Sequence, residues 1–143
     1  MPPKLGQVVE TVLYTSDAGK LSQWYKDALG LEPYIEMLPA LAGFQLPNNT
    51  LLLMFSRDKI TEDRPIKDAG MIPRHGCDLG LGQHISFACS GAEELDEWEK
   101  HLKGKGIEVI SHMKWERGGR SIYFKDWEGH VLEIMTRGVW AVY

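Results

Sequence analysis

Three side chains in this sequence carry the chemistry of metal ligands: Glu10, His84 and Glu133. Each falls inside a run of β-forming residues, within 7–15, 83–89 and 130–136. A carboxylate or imidazole inside an apolar strand is costly unless it is paired or coordinated. One imidazole and two carboxylates suit a divalent transition metal, whether Mn, Fe, Co, Ni or Zn. Such a set leaves coordination positions open for water or substrate. Taken singly, each residue also reads as an ordinary strand residue, a solvated Glu or a hydrogen-bonded His. Shared register separates the two readings, because independent solvated residues have no reason to occupy equivalent places.

The elements that position them follow from hydrophobic period. Residues 7–15 alternate β-formers on both faces and read as a strand. Ser16 or Asp17 caps a helix whose stripe is Leu21, Trp24, Tyr25, Ala28 and Leu29, and Gly30 ends it. Strand-like segments follow at 33–38, 40–46 and 50–56, the last after the turn Pro47-Asn48-Asn49. Residues 57–81 hold charges, prolines and glycines without sustained period, so they read as a long connection, a flap or crossover. The pattern then restarts with a strand at 83–89. A capping box at Ser90-Gly91-Ala92-Glu93 opens a helix striped by Leu95, Trp98 and Leu102. Strands are expected at 107–112, 120–125 and 130–136, and residues 137–143 form an apolar tail.

Both halves thus read β-α-β-β-β, over 7–56 and 82–136. A displacement of 80 residues lays Leu53 under Glu133, and one of 74 lays Glu10 under His84. Four positions are related in this way, and three of them carry ligand chemistry. The fourth is Leu53.

Composition narrows the function classes. The chain has 143 residues, 43% hydrophobic and 25% charged, enough for one core. That excludes a disordered chain, a collagen-like fibre and a disulfide miniprotein. Sixteen Lys and Arg against 20 Asp and Glu give a net charge of −4, which argues against nucleic acid as a partner. No apolar run reaches the length of a membrane span, and the N-terminus lacks the blocks of a signal peptide. Cys77 and Cys89 are expected to be free thiols, and the expected location is cytoplasmic.

The stretch Ser121-Ile122-Tyr123-Phe124-Lys125-Asp126-Trp127-Glu128-Gly129-His130-Val131-Leu132-Glu133 resembles the strand–turn–strand signature of the vicinal oxygen chelate superfamily. That superfamily includes glyoxalases, extradiol dioxygenases, fosfomycin-resistance transferases and bleomycin-resistance proteins. Leu21 to Gly30 resembles its first-helix signature, and Gly82-Gln83-His84-Ile85 resembles the strand with its His ligand. The resemblance spans about Val8 to Thr136. It implies an α+β fold of two βαβββ modules forming a cupped, barrel-like mixed β-sheet with helices outside. It also implies a homodimer, and ligand roles for Glu10, His84 and Glu133. The first position is usually His in that superfamily, and here it is Glu10. Glyoxalases carry a carboxylate where this chain has Leu53, so a dioxygenase- or transferase-like site is favoured.

Further candidates surround this set. Ser121 and Tyr123 share a strand face and resemble positions lining the fosfomycin-transferase pocket. Arg117 and Arg120 flank Gly118-Gly119 and can clamp a carboxylate or phosphate. Tyr14 shares the Glu10 face, and His75 on the long connection can fold over a site. His101, His112 and His130 read as peripheral or structural. The expected activity is that of a divalent-metal enzyme chelating oxygens of a small organic substrate. Glu10 or Glu133 would leave the metal briefly to serve as base, and Tyr123 or Tyr14 would donate a proton or hydrogen bond. The alternatives are a metal-free protein sequestering an antibiotic or aromatic metabolite, a metal-free cyclase or isomerase, and a purely structural role.

Overall fold

The computed structural model describes residues 8, 10–68, 70–72 and 84–139. The chain divides into two compact units, Met1–Gly80 and Leu81–Tyr143. In the first unit, β1 (Glu10–Thr15) leads to α1 (Ala18–Leu29), then β2 (Pro33–Met37), β3 (Leu41–Leu46) and β4 (Thr50–Ser56). The Asp17 carboxylate caps α1 by accepting the Lys20 N–H at 3.0 Å. Gly30, at φ 68°, takes the left-handed conformation that closes the helix. The strands order as β1-β4-β3-β2, with β1 parallel to β4 and the other pairs antiparallel. Leu21, Tyr25 and Ala28 of α1 are buried, as are Ala42, Phe44, Leu52 and Met54 of the sheet. Tyr25 stacks on Phe44 at 6.1 Å. Burying each large side chain of this set contributes roughly 1.5–3 kcal/mol.

The described part of the connection contains regular structure. It carries a short hairpin, β5 (Arg64–Ile66) against β6 (Gly70–Ile72), with Asp68 at φ 61° in the turn.

The second unit repeats the first: β7 (His84–Ala88), α2 (Ala92–Gly104), β8 (Ser111–Lys114), β9 (Arg120–Lys125) and β10 (Val131–Met135). Its strands order as β7-β10-β9-β8, with β7 parallel to β10. Leu95 and Leu102 of α2 are buried along with Ile122, Phe124, Leu132 and Ile134 of the sheet. The fold is therefore α+β in two βαβββ modules, each a four-stranded mixed sheet with one helix. The two sheets are separate hydrogen-bonded ladders. Among the described residues, no helix is long and apolar enough to cross a membrane.

The repeat holds at the level of register. Glu10 pairs with Leu51 in the first sheet, and His84 pairs with Val131 in the second. Val12, Leu53 and Gly43 lie in one row, and Ser86, Glu133 and Tyr123 lie in the matching row.

Three local expectations are corrected. The strand expected at 107–112 begins only at Ser111, because the chain is still leaving α2. The Ile107 N–H bonds back to the Leu102 carbonyl, and the first contact to β9 is Ile110 N–H to Tyr123 O at 2.8 Å. The N-cap of α2 is Gly91, and Glu94 rather than Glu93 reaches back to the Ser90 N–H. Glu10 opens β1 rather than sitting in its middle, and it is exposed.

Candidate metal centre on the second sheet

Strand alternation gives the second sheet two faces. Ile122, Phe124, Leu132 and Ile134 form the buried, helix-side face. His84, Ser86, Ser121, Tyr123 and Glu133 project from the other. Of the three sequence candidates, only Glu133 is both mid-strand and buried, at 3% exposure. Its burial is made tolerable by polar neighbours on adjacent strands. The Ser86 hydroxyl donates to Glu133 Oε2 at 2.5 Å. His84 Nε2 lies 3.4 Å from the same oxygen. Among the described residues, the buried Glu133 Oε1 has no hydrogen-bond partner.

The imidazole is oriented from behind. His84 Nδ1 lies 2.7 Å from the Val131 carbonyl, which can only accept, so Nδ1 carries the hydrogen. In the neutral ring, Nε2 then presents a lone pair toward a carboxylate oxygen. Two lone pairs at that distance repel unless a cation or a proton lies between them. Two atoms each about 2.1 Å from one ion lie roughly 3.0–3.4 Å apart. The His84–Glu133 spacing and the orphaned Oε1 therefore fit the donor set of a divalent ion.

Tyr123 completes the row. Its ring stacks on His84 with centroids 6.0 Å apart and planes at 17°. Burial, then the facing Glu133 carboxylate, raises the phenol above its ordinary value, with Ser121 opposing the rise. The Trp115 indole donates to Ser121 Oγ at 3.0 Å.

The strand–turn–strand that carries Glu133 is held by a buried carboxylate–imidazole hydrogen bond and a set of backbone N–H donors. Asp126 Oδ1 accepts the N–H groups of Glu128, Gly129 and His130 at 2.9–3.0 Å. Asp126 Oδ2 lies 2.6 Å from His130 Nδ1. His130 is thus structural, as its place after the turn glycine suggests.

Other candidates are placed differently. Glu10 is exposed and Tyr14 half-buried on one face of β1 in the first unit. Leu53, 8% exposed, fills with hydrocarbon the row where Glu133 sits in the second unit. Arg120 points to the helix face and donates to Asp96 of α2 at 2.8 Å. Arg117 is exposed in the turn between Trp115 and Gly119. Arg120 is held by Asp96 rather than standing free beside Arg117. His112 pairs with Glu99 at 2.9 Å, and His101 lies edge-on to Trp98. His75, Cys77 and the tail residues Trp140 and Tyr143 lie outside the described residues. Among the described residues, no group of three or more His, Cys, Asp or Glu side chains converges to hold an ion. Ser86 and Trp115 were not singled out by the sequence. The signal for Ser86 was its place on the His84 face, level with Glu133.

Residues 5–134 match the model of the Glyoxalase/Bleomycin resistance protein/Dioxygenase superfamily. The chain belongs to this superfamily. Relatives in the superfamily include the metallothiol transferase FosB of Bacillus licheniformis. It is 42% identical over 57 residues, covering 39% of this chain and 36% of that protein. The fosfomycin resistance protein FosX of Listeria innocua is 38% identical over 52 residues, 36% of this chain and 38% of that protein. These matches span less than two fifths of either relative's length. A lactoylglutathione lyase structure from Agrobacterium tumefaciens superposes with a TM-score of 0.83 at 27% identity, covering 99% of each chain. A superfamily protein from Nocardioides shares the fold at TM-score 0.72 and 21% identity, over 94% of this chain and 85% of that one.

Proposed function

We propose that this protein is a divalent-metal-dependent enzyme of the glyoxalase/dioxygenase type, acting on oxygens of a small organic substrate. The observation that carries this reading is the buried Glu133 carboxylate beside His84 Nε2, 3.4 Å away, with its other oxygen unpartnered. His84, Glu133 and Glu10 are the proposed ligands. When bound, the ion supplies Lewis-acid stabilisation of negative charge on a substrate oxygen.

The chain's own groups do the rest. The raised Tyr123 phenol stays protonated through the neutral range and donates a hydrogen bond or proton at Oη. Glu10 or Glu133, when not held by the ion, is the proposed base, with Glu10 exposed at the start of β1. Tyr14 and Ser121 are proposed substrate contacts, whereas Arg120 is committed to Asp96 and drops out of the site. A homodimer in the cytoplasm belongs to the same reading.

The names of the relatives supply the first substrate panel: fosfomycin with a thiol, and lactoylglutathione. Turnover of one of these is expected, abolished by a chelator and reduced at least about 100-fold by Glu133→Gln. Turnover that survives both treatments contradicts the proposal.

A second reading is a metal-free small-molecule binder or isomerase. It is favoured by the mutual contacts of Ser86, His84 and Glu133, which give the carboxylate partners within the protein. Tight ligand binding unchanged by chelator distinguishes it.

A further inference from the structure

We propose that Ser86 is a positioning residue for the Glu133 carboxylate, setting the affinity of the second unit for a divalent cation. The inference rests on the metal reading above. Three observations carry it.

The first is geometry. Ser86 stands directly opposite Glu133 in the parallel β7–β10 register, and its hydroxyl donates to Oε2 at 2.5 Å. That oxygen is also the one facing His84 Nε2. A carboxylate oxygen has two lone-pair directions. Ser86 occupies one, which leaves the other aimed at the imidazole.

The second is the closeness of this donor. The Tyr123 phenol also hydrogen-bonds the carboxylate, but Ser86 holds Oε2, the oxygen facing His84, at 2.5 Å, and among the described residues Oε1 has no hydrogen-bond partner. Groups that hydrogen-bond a metal-ligating side chain typically change metal affinity by about 10–100-fold when removed.

The third is the internal repeat. The residue level with Leu53 in the first sheet is Val12, and the residue level with Glu133 is Ser86. A hydroxyl stands where the last strand bears a carboxylate, and a hydrocarbon stands where it bears a leucine. Strand formation alone favours valine at both places, so the serine answers to the carboxylate.

Ser86 is exposed, so its substitution leaves the core intact. The test titrates Co(II) chloride into the full-length protein and its Ser86→Ala and Ser86→Thr variants, reading calorimetry and the visible spectrum. Thermal unfolding of the metal-free proteins is measured in parallel. Ser86→Ala is expected to bind Co(II) at least about tenfold more weakly while still unfolding cooperatively, with a midpoint lowered by the lost donor to a buried carboxylate. Ser86→Thr, which keeps the hydroxyl, is expected to stay within a few-fold of wild type. If Ser86→Ala binds as tightly as wild type, or Ser86→Thr is as weak as Ser86→Ala, the inference is overturned while the metal reading stands. If wild type itself binds no Co(II), the metal reading fails and takes this inference with it.

Discussion

Leu53 stands directly over Gly43. A methyl carbon of Leu53 lies 2.5 Å from where a Cβ on residue 43 would be, and Ile35 Cγ2 lies 3.1 Å away. A side chain at this position must therefore displace the end of Leu53, with Ile35 and the Leu52 carbonyl oxygen also close. In the matching row of the second sheet, Tyr123 and Glu133 face each other instead. Gly43→Ala is expected to destabilise the protein by about 1–3 kcal/mol through overpacking. In a Leu53→Ala background the same change should cost less than half as much. Urea denaturation of the double-mutant cycle reads this coupling.

The Asp126 carboxylate anchors the turn that delivers Glu133. It is buried, accepts three backbone N–H groups and pairs with His130. Asp126→Ala strands those donors and should cost about 3 kcal/mol. Thermal or denaturant unfolding measures the loss. An Asp126→Ala protein as stable as wild type would show that the turn holds without its anchor.

Tyr123 has a raised phenol, with burial as the main cause and Glu133 adding to it. A folded-state value above the unfolded one gives a stability contribution that is complete below the unfolded pKa. It is lost as pH rises through the folded one, here in the alkaline range above about 10. Absorbance titration at the phenolate band should show one tyrosine ionising late, and Tyr123→Phe should remove that step. Glu133→Gln removes a raising cause and should move the step to lower pH.

Arg120 serves the helix side. Its partner Asp96 is largely exposed, so Arg120→Ala should cost no more than about 1 kcal/mol. Metal binding should not change, because the guanidinium projects from the face opposite His84 and Glu133. A tenfold fall in metal affinity in this variant would place Arg120 in the site after all.

The repeat was legible in the sequence because it is written twice, once in each βαβββ module, in alternating strands and capped helices. The offsets of 74 and 80 that align the halves on paper also align Glu10 with His84 and Leu51 with Val131 in the ladders. Pocket chemistry was less legible. Glu10 and Glu133 look alike in sequence, yet one is exposed at a strand start and the other buried in a central strand. Strand order decides this, and strand order is not local. The contact made by Arg120 was hidden for a related reason. Its neighbour Asp96 lies 24 residues away on a helix, and no local pattern joins them. The β5–β6 hairpin was missed because three-residue strands are too short to show a period.

The central claim is that His84 and Glu133 hold a divalent ion, and metal analysis of the native protein tests it most directly. The protein is purified under metal-replete conditions without chelator, alongside His84→Ala and Glu133→Gln. Elemental analysis is expected to find close to one divalent ion per wild-type chain and almost none in either variant. No ion in the wild-type protein, or equal metal content in all three, would contradict the account.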